Sequence, residues 1–316
     1  MRIATFNVQN LRLRHRGGRP VLDGARDRDM AGPDDPALDR RDRRLTAKVL
    51  ARIGADVVAL QEVFDAATLD HFHDSYLRPA GAPAYPHRVC LPGNDGHGFN
   101  VALLSRAAPS RVESHAAATP RDLGLDAAPD MADRPVFRRD CLEAEIGRLT
   151  LFVCHFKAPY PDPSAAWDIR RLEAQAVAAL IRARFADPAA ALWLVIGDLN
   201  EPPRQPEGRG SALAPLTGMG ADLFARLDAR QAWTFSVPGS PAGGGPGSES
   251  GRHTRPDAMI AAPALAALCP DARPAIVRAG MDSNAAPGAR DRLAGVGATR
   301  PHASDHAAIH ADFAGL

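Results

Sequence analysis

Apolar residues in this chain cluster in short runs that stop abruptly at polar ones, and several runs are separated by stretches with helical spacing. Residues 1–7 read as a strand ending at Asn7, and residues 57–60 as a second strand ending at Gln61 and Glu62. Between them, Leu45, Val49, Leu50 and Ile53 recur at helical spacing, and Gly54 suits the close of that helix. The segment 12–44 carries ten Arg and seven Asp with few large apolar residues, so it is expected to be a long loop insertion. Further on, the pattern predicts a helix over 66–76 and strands over 99–105, 141–146 and 149–155, the last two joined by a Gly147-Arg148 hairpin turn. Leu172, Ala176, Ala179 and Leu180 line one face of a helix over 165–185, which leads into the apolar strand 191–196 and the polar tip Gly197-Asp198-Leu199-Asn200. Residues 236–251 are rich in Gly, Pro and Ser and read as a flexible surface loop; strand-like pieces follow at 258–262 and 307–313. The last piece needs partners from earlier in the chain, which favours one domain over residues 1–316.

Composition narrows the class. With 316 residues, 45% of them hydrophobic, the chain is neither a disulfide-knit mini-domain nor a disordered polyelectrolyte. Its 38 Lys plus Arg against 37 Asp plus Glu give no long-range attraction for a polyanion, so any such site must concentrate charge locally. Lysine occurs only at Lys48 and Lys157, and a chain so heavily biased to Arg makes an Arg count a weak signal. No apolar run approaches the roughly 18 to 20 residues a bilayer span needs, and residues 1–7 enter a strand pattern directly, so a cytoplasmic protein without membrane attachment is expected. Cys90, Cys141, Cys154 and Cys269 show no CxxC spacing and read as buried reduced thiols.

The chemistry lies where strands end. Asn7, Glu62, His155, Asp198 and Asn200 terminate strands, and Asp305-His306 opens the last one. Alternation along a strand puts Asp198 and Asn200 on one side and His155 and Lys157 on one side. Each feature alone has a plain structural explanation: Asp-x-Asn also makes turns and helix caps, Gln-Glu also ends solvated strands, and a lone His often sits satisfied in a core. Lys157 stands out because this chain otherwise uses Arg, and a compact ammonium suits a phosphate.

Their order along the chain changes the weighing. The strings TFNVQNL, DVVALQEV, GFNVALLSR, LFVCHFK, VIGDLNEPP, RPDAMIAAPAL and ASDHAAIHADF together resemble the endonuclease/exonuclease/phosphatase superfamily, which shares the fold of pancreatic-type deoxyribonuclease. HGFNVALLSR and HFK are similar to a bacterial nuclease-like branch. The resemblance implies an α/β four-layer sandwich, two mixed β-sheets packed face to face and flanked by helices. It implies Mg²⁺, or Mn²⁺, held by Glu62 with Asn7 and Asp305 in support. Asp198 matches the residue that orients or deprotonates the attacking water, and Asn200 its phosphate-contacting neighbour. His306 matches the histidine beside the scissile phosphate, Asp257 the carboxylate that orients it, and His155 a second phosphate-facing histidine. Lys157 and Asn100 are candidates for substrate binding, although Asn100 stands where related sequences often carry Asp, and His97 where they carry Arg. The chemistry is consistent with those roles: a hard cation prefers oxygen donors, and positioned His and Asn groups stabilise charge on nonbridging oxygens.

The expected activity is therefore metal-dependent phosphodiester hydrolysis by in-line water attack, with DNA as the favoured substrate. Small phosphoesters, inositol phosphates and phospholipids remain alternatives within the superfamily. A monomer is expected, with nucleic acid as substrate and no protein partner inferred. Two rival readings carry less. His302, His306 and His310 are spaced for a helical zinc face, but residues 307–313 alternate like a strand. An inactive binding scaffold should have lost at least one of Glu62, Asp198, Asn200, Asp257, Asp305 or His306, and all are present.

Overall fold

The computed structural model describes residues 1–26, 35–237 and 253–316. The chain begins with strands β1 (Arg2–Leu11), β2 (Leu13–Arg16) and β3 (Arg19–Leu22), helix α1 (Pro36–Ile53), strand β4 (Val57–Val63) and helix α2 (Ala66–Phe72). Strands β5 (His87–Cys90), β6 (Asn100–Ser105), β7 (Arg111–Ser114), β8 (Cys141–Ile146) and β9 (Leu149–His155) follow, then helix α3 (Pro163–Arg184) and strand β10 (Trp193–Asp198). Next come α4 (Ala214–Thr217), β11 (Ala221–Asp222), β12 (Phe235–Ser236) and β13 (His253–Thr254). The chain closes with β14 (Asp257–Ala261), α5 (Pro263–Leu268), β15 (Ala275–Val277) and β16 (Ala308–Asp312).

Two mixed sheets of six strands form the scaffold, one in the order β15-β16-β1-β4-β6-β5 and the other β11-β14-β10-β9-β8-β7. Strict alternation makes them a sandwich. Ile3, Ala59 and Leu103 of the first sheet join Val153, Ile196 and Met259 of the second in one buried core, while Ala4, Leu60 and Leu104 face the opposite way. That outer side packs on Leu45, Val49, Leu50 and Ile53 of α1 and on Phe72 of α2. Helices α3 and α5 cover the far side of the second sheet through Val177, Ile181 and Leu265. Each such large apolar side chain contributes about 1.5–3 kcal/mol on burial. The result is the four-layer α/β-sandwich that the resemblance implied.

Topology brings the polar tips together. Strands β1 and β4 run parallel, as do β9 and β10, so Asn7, Glu62, His155 and Asp198 all lie at carboxyl ends. Strand β14 runs antiparallel to β10 with Asp257 opposite Asp198, and β16 runs antiparallel to β1, so their amino ends share that edge.

The segment 12–44 departs from the expected loop. Gly17 and Gly18, at φ +55° and +74°, turn a tight hairpin between β2 and β3. Helix α1 starts at Pro36, nine residues before its apolar spacing begins, because Asp35 accepts from the Ala37 and Leu38 N–H groups at 3.0 Å and Pro36 occupies the first turn. Its first turns bury Asp39, Asp42 and Arg43 in a polar network, which no hydrophobic periodicity could signal. Residues 27–34 of that segment, and 238–251 of the expected loop 236–251, lie outside the described residues. His310 sits on β16, so the three histidines 302, 306 and 310 share no helical face. All four cysteines are buried and free, and among the described residues no helix is long and apolar enough to cross a membrane.

Strand β10 approaches β9 closely at Gly197, whose φ is +138° and where a Cβ would overlap the Cys154 carbonyl oxygen. Gly197→Ala is accordingly expected to destabilise the protein by about 3 kcal/mol. Urea denaturation checks this, and an unchanged midpoint would contradict it.

Candidate active site

Asp198 lies at the meeting point of the two sheets, 2% exposed. Its Oδ2 accepts from Asn7 Nδ2 of the first sheet at 3.0 Å, and its Oδ1 accepts from the Asn200 N–H at 3.0 Å. His155 Nε2 and His306 Nε2 each stand 3.6 Å from Oδ2, close enough for strong electrostatic contact but too far for a hydrogen bond. That oxygen therefore retains a lone pair able to accept from a water.

His306 is oriented from its other ring nitrogen. Nδ1 lies 3.0 Å from Asp257 Oδ2, which also accepts from Thr234 Oγ1 at 2.6 Å. The Phe235 ring packs on the imidazole with centroids 4.7 Å apart, and Ser304 Oγ accepts from the His306 N–H at 3.1 Å while donating to the Asn7 carbonyl at 2.7 Å. One hydroxyl thus ties the tip of β1 to the start of the last strand.

Burial and charge separate the two histidines. Burial by itself would lower His306, but the Asp257 and Asp198 carboxylates outweigh it and raise its pKa well above the usual 6.5. For His155, burial acts together with Arg139 and His306 and pushes the pKa well below 6.5. Asp198 is pushed up to about 6, by burial first, with His306 opposing and Asp257 assisting. Near neutral pH the centre holds a cationic His306, a neutral His155 and an Asp198 poised to take a proton.

Glu62 joins this centre through Asn7. Asn7 Nδ2 also donates to Glu62 Oε1 at 3.1 Å, and the Asn10 N–H donates to Glu62 Oε2 at 2.8 Å. Asp305, also half-buried, lies beyond Ser304 Oγ, and its backbone N–H donates to Gln9 Oε1 at 3.2 Å. Glu62 takes a left-handed backbone at φ +66°, as do Gln9, Asn10 and Asn200 at φ +48°, +56° and +54°. Such conformations concentrate at functional sites because surrounding structure must hold them.

Several expected residues are placed differently. Asn7 presents its amide nitrogen to both carboxylates, its oxygen being taken by the Gln9 N–H at 3.0 Å, so it bridges them as a donor. Asn100 ties a loop to backbone, accepting from Gly93 N at 2.8 Å and donating to Phe64 O at 2.7 Å. Lys157 Nζ donates to the carbonyls of Ala158 and Tyr160 in its own loop. Asn200 Nδ2 donates to Phe156 O at 3.0 Å.

Other residues of the site went unread in the sequence. Thr234 and Ser304 are small hydroxyls whose roles exist only by contact. Arg139 donates to Phe156 O at 3.0 Å, pairs with Asp95 at 3.1 Å and acts electrostatically on His155, yet the abundance of Arg concealed it. Two groups could bring three ligand atoms within 4.8 Å among the described residues: Asp198, Asp257 and His306, and separately Glu113, His115 and Glu143. The second is already compensated, since Arg184 lies 3.1 Å and Arg111 3.4 Å from Glu143. Beside Asp257 opens a cavity of about 280 Å³, lined by Glu201, Leu213, Arg255 and Ile260 among others.

Comparison with known proteins agrees with this fold. A family model described as Endonuclease/Exonuclease/phosphatase family matches residues 4–306. An AP endonuclease from Archaeoglobus fulgidus superposes with TM-score 0.58 at 18% identity, covering 99% of each chain. An endonuclease/exonuclease/phosphatase family protein from Leptotrichia buccalis gives 0.57 at 13%, covering 99% of this chain and 98% of that one. The 3′ phosphatase NExo from Neisseria, bound to product DNA hairpin, gives 0.53 at 16%, covering 99% of each. At these identities the likeness establishes the fold. No curated protein matches the chain.

The Asp257–His306 pair has a definite pH signature. Because His306 is raised, its stabilisation is complete below the usual value of 6.5 and is lost as pH rises through the folded-state pKa. Asp257→Asn should lower the His306 pKa and remove that loss. Imidazole NMR titration and pH-dependent unfolding check it; an unchanged His306 titration would count against the pairing.

Proposed function

The chain belongs to the endonuclease/exonuclease/phosphatase family, a family of metal-dependent phosphoesterases, and from that premise we propose that it hydrolyses phosphodiester bonds in DNA by in-line attack of water. The observation that carries the reading is Asp198, buried, raised to about 6, and flanked at 3.6 Å by one cationic and one neutral histidine.

In this reading Asp198 orients the water through Oδ2 and takes its proton as the oxygen bonds to phosphorus. The opposite P–O ester bond breaks, and the leaving oxygen is protonated from solvent. Cationic His306, locked by Asp257 through Nδ1, donates from Nε2 to a nonbridging oxygen as charge develops there. His155 stays neutral, supplying a hydrogen bond without a second cation that would overstabilise the ionised Asp198. Asn200 fixes Asp198 by its N–H and turns its remaining amide capacity to the phosphate.

The residues present fit a hard divalent cation. Glu62 and Asp305 are half-buried oxygen donors at one edge, and each Glu62 oxygen accepts one protein hydrogen bond, leaving lone pairs over. Glu62 and Asp305 would hold Mg²⁺ or Mn²⁺, with Asn7 keeping Glu62 beside Asp198. When bound, the cation neutralises phosphate charge and stabilises the leaving oxygen.

DNA is favoured by the neighbours: an AP endonuclease, and NExo bound to product DNA hairpin. Glu62→Ala and His306→Ala are each expected to lower Mg²⁺-dependent hydrolysis about 10³-fold while leaving the fold intact. The assay compares single-stranded, duplex and abasic DNA, RNA and a small phosphodiester, with Mg²⁺, Mn²⁺ and chelator. Full activity in both folded variants would remove the site assignment, and a wild type active only on the small ester would remove DNA.

A further inference from the structure

Among the buried charges outside the catalytic centre, Arg43 is the most completely used. It is 0% exposed, and its guanidinium donates to five backbone carbonyls: Nε to Asp23 at 2.5 Å, Nη1 to Val8 at 2.6 Å, and Nη2 to Gln9 at 2.7 Å, Asn10 at 3.1 Å and Gly24 at 2.7 Å. Burial lowers its pKa to about 10, with Asp42, Asp23 and Asp39 opposing, so it remains a cation at neutral pH.

The turn it holds is the one from which the cation-binding edge hangs. Asn10 N–H donates to Glu62 Oε2 at 2.8 Å, Gln9 Oε1 accepts from Asp305 N at 3.2 Å, and Gln9 N donates to Asn7 Oδ1 at 3.0 Å. Both turn residues are left-handed, at φ +48° and +56°, a conformation non-glycine residues leave unless something holds them. Three consecutive carbonyls, Val8 to Asn10, converge on one planar fork. Lysine has fewer donors and no fork, so it cannot reproduce that convergence.

We propose that Arg43 is a positioning residue for the Glu62 carboxylate: by clamping the Gln9–Asn10 turn it aims the Asn10 N–H at Glu62, and so sets that edge's affinity for a divalent cation. The inference rests on the reading of Glu62 as a cation ligand. Releasing the carbonyls lets the turn relax toward negative φ, which rotates the Asn10 N–H away from Glu62 and slackens the Gln9 contact to Asp305.

The test is Mn²⁺ binding to the purified full chain, followed by electron paramagnetic resonance, with circular dichroism and thermal unfolding in parallel. Arg43→Met is expected to weaken the Mn²⁺ Kd about 10- to 100-fold, and Arg43→Lys by a smaller factor. Ile53→Ala, at the other end of α1, serves as a control for destabilisation and should leave the Kd unchanged although its Tm falls. A folded Arg43→Met with wild-type Kd overturns the proposal, as does an equal Kd loss in Ile53→Ala. Should Arg43→Met not fold, Arg43→Lys decides, and an unaltered Kd there overturns it. Glu62→Gln is the separate reference: wild-type Mn²⁺ binding in that variant rejects Glu62 as ligand rather than Arg43 as its support.

Discussion

The structure turns on one buried carboxylate shared by two sheets. Asp198 is carried by the second sheet, yet it is held by Asn7 of the first at 3.0 Å. Removing a carboxylate from water is costly unless donors and cations replace its hydration. Here Asn7, the Asn200 N–H and the cationic His306 supply the replacement, and each comes from a different place in the chain. The sandwich must therefore close in one register for the carboxylate to be tolerated at all. Closing it in that register is also what assembles the site.

The same demand explains where backbone strain is found. Among the described residues, the left-handed non-glycine positions, Gln9, Asn10, Glu62 and Asn200, all lie at strand tips around Asp198. Each re-aims an N–H or side chain toward the centre, and each is restrained by polar contacts rather than apolar packing. Arg43 restrains the tip of β1. On the opposite sheet, Glu173 of α3 accepts from the backbone N–H groups of Arg138 at 2.9 Å and Lys157 at 2.8 Å, which steadies the segments that follow β9 and precede β8. Burial pushes this Glu up to about 7, so its hold relies on two backbone donors rather than on a matched cation. Rigid apolar strands set the positions of the tips, and buried polar clamps set their directions.

This division of labour alters the meaning of the charge balance. Arg43 and Arg170 are fully buried, and Arg300 is bound to Asp39 and Asp42, so part of the basic total is structural. Glu62, Asp198, Asp257 and Asp305 account for part of the acidic total in the same way. A near-zero sum therefore says little about the field at the catalytic edge, where a cationic His306 stands between Asp198 and Asp257 and Arg139 acts on His155.

Much of this protein could be read along the chain. The apolar runs marked β1, β4, β6, β8, β9, β10 and α3 because burial on a sheet or helix face leaves a period that one sequence displays. The strand-ending Asn7, Glu62, His155, Asp198 and Asn200 were legible because polar residues that interrupt an apolar run at its end are conspicuous. The sequence was silent on the first turns of α1, where Asp39, Asp42 and Arg43 point into a polar interior, and it gave no sign that the side chains of Asn100 and Lys157 hydrogen-bond to backbone. Which strand tips meet, which histidine is charged, which Arg is a clamp and which Asn is a bridge were decided only by the tertiary structure. Periodicity records whether a residue faces the core; partners hundreds of residues away, such as Asn7 and Ser304, are selected by chain topology, and topology leaves no local trace.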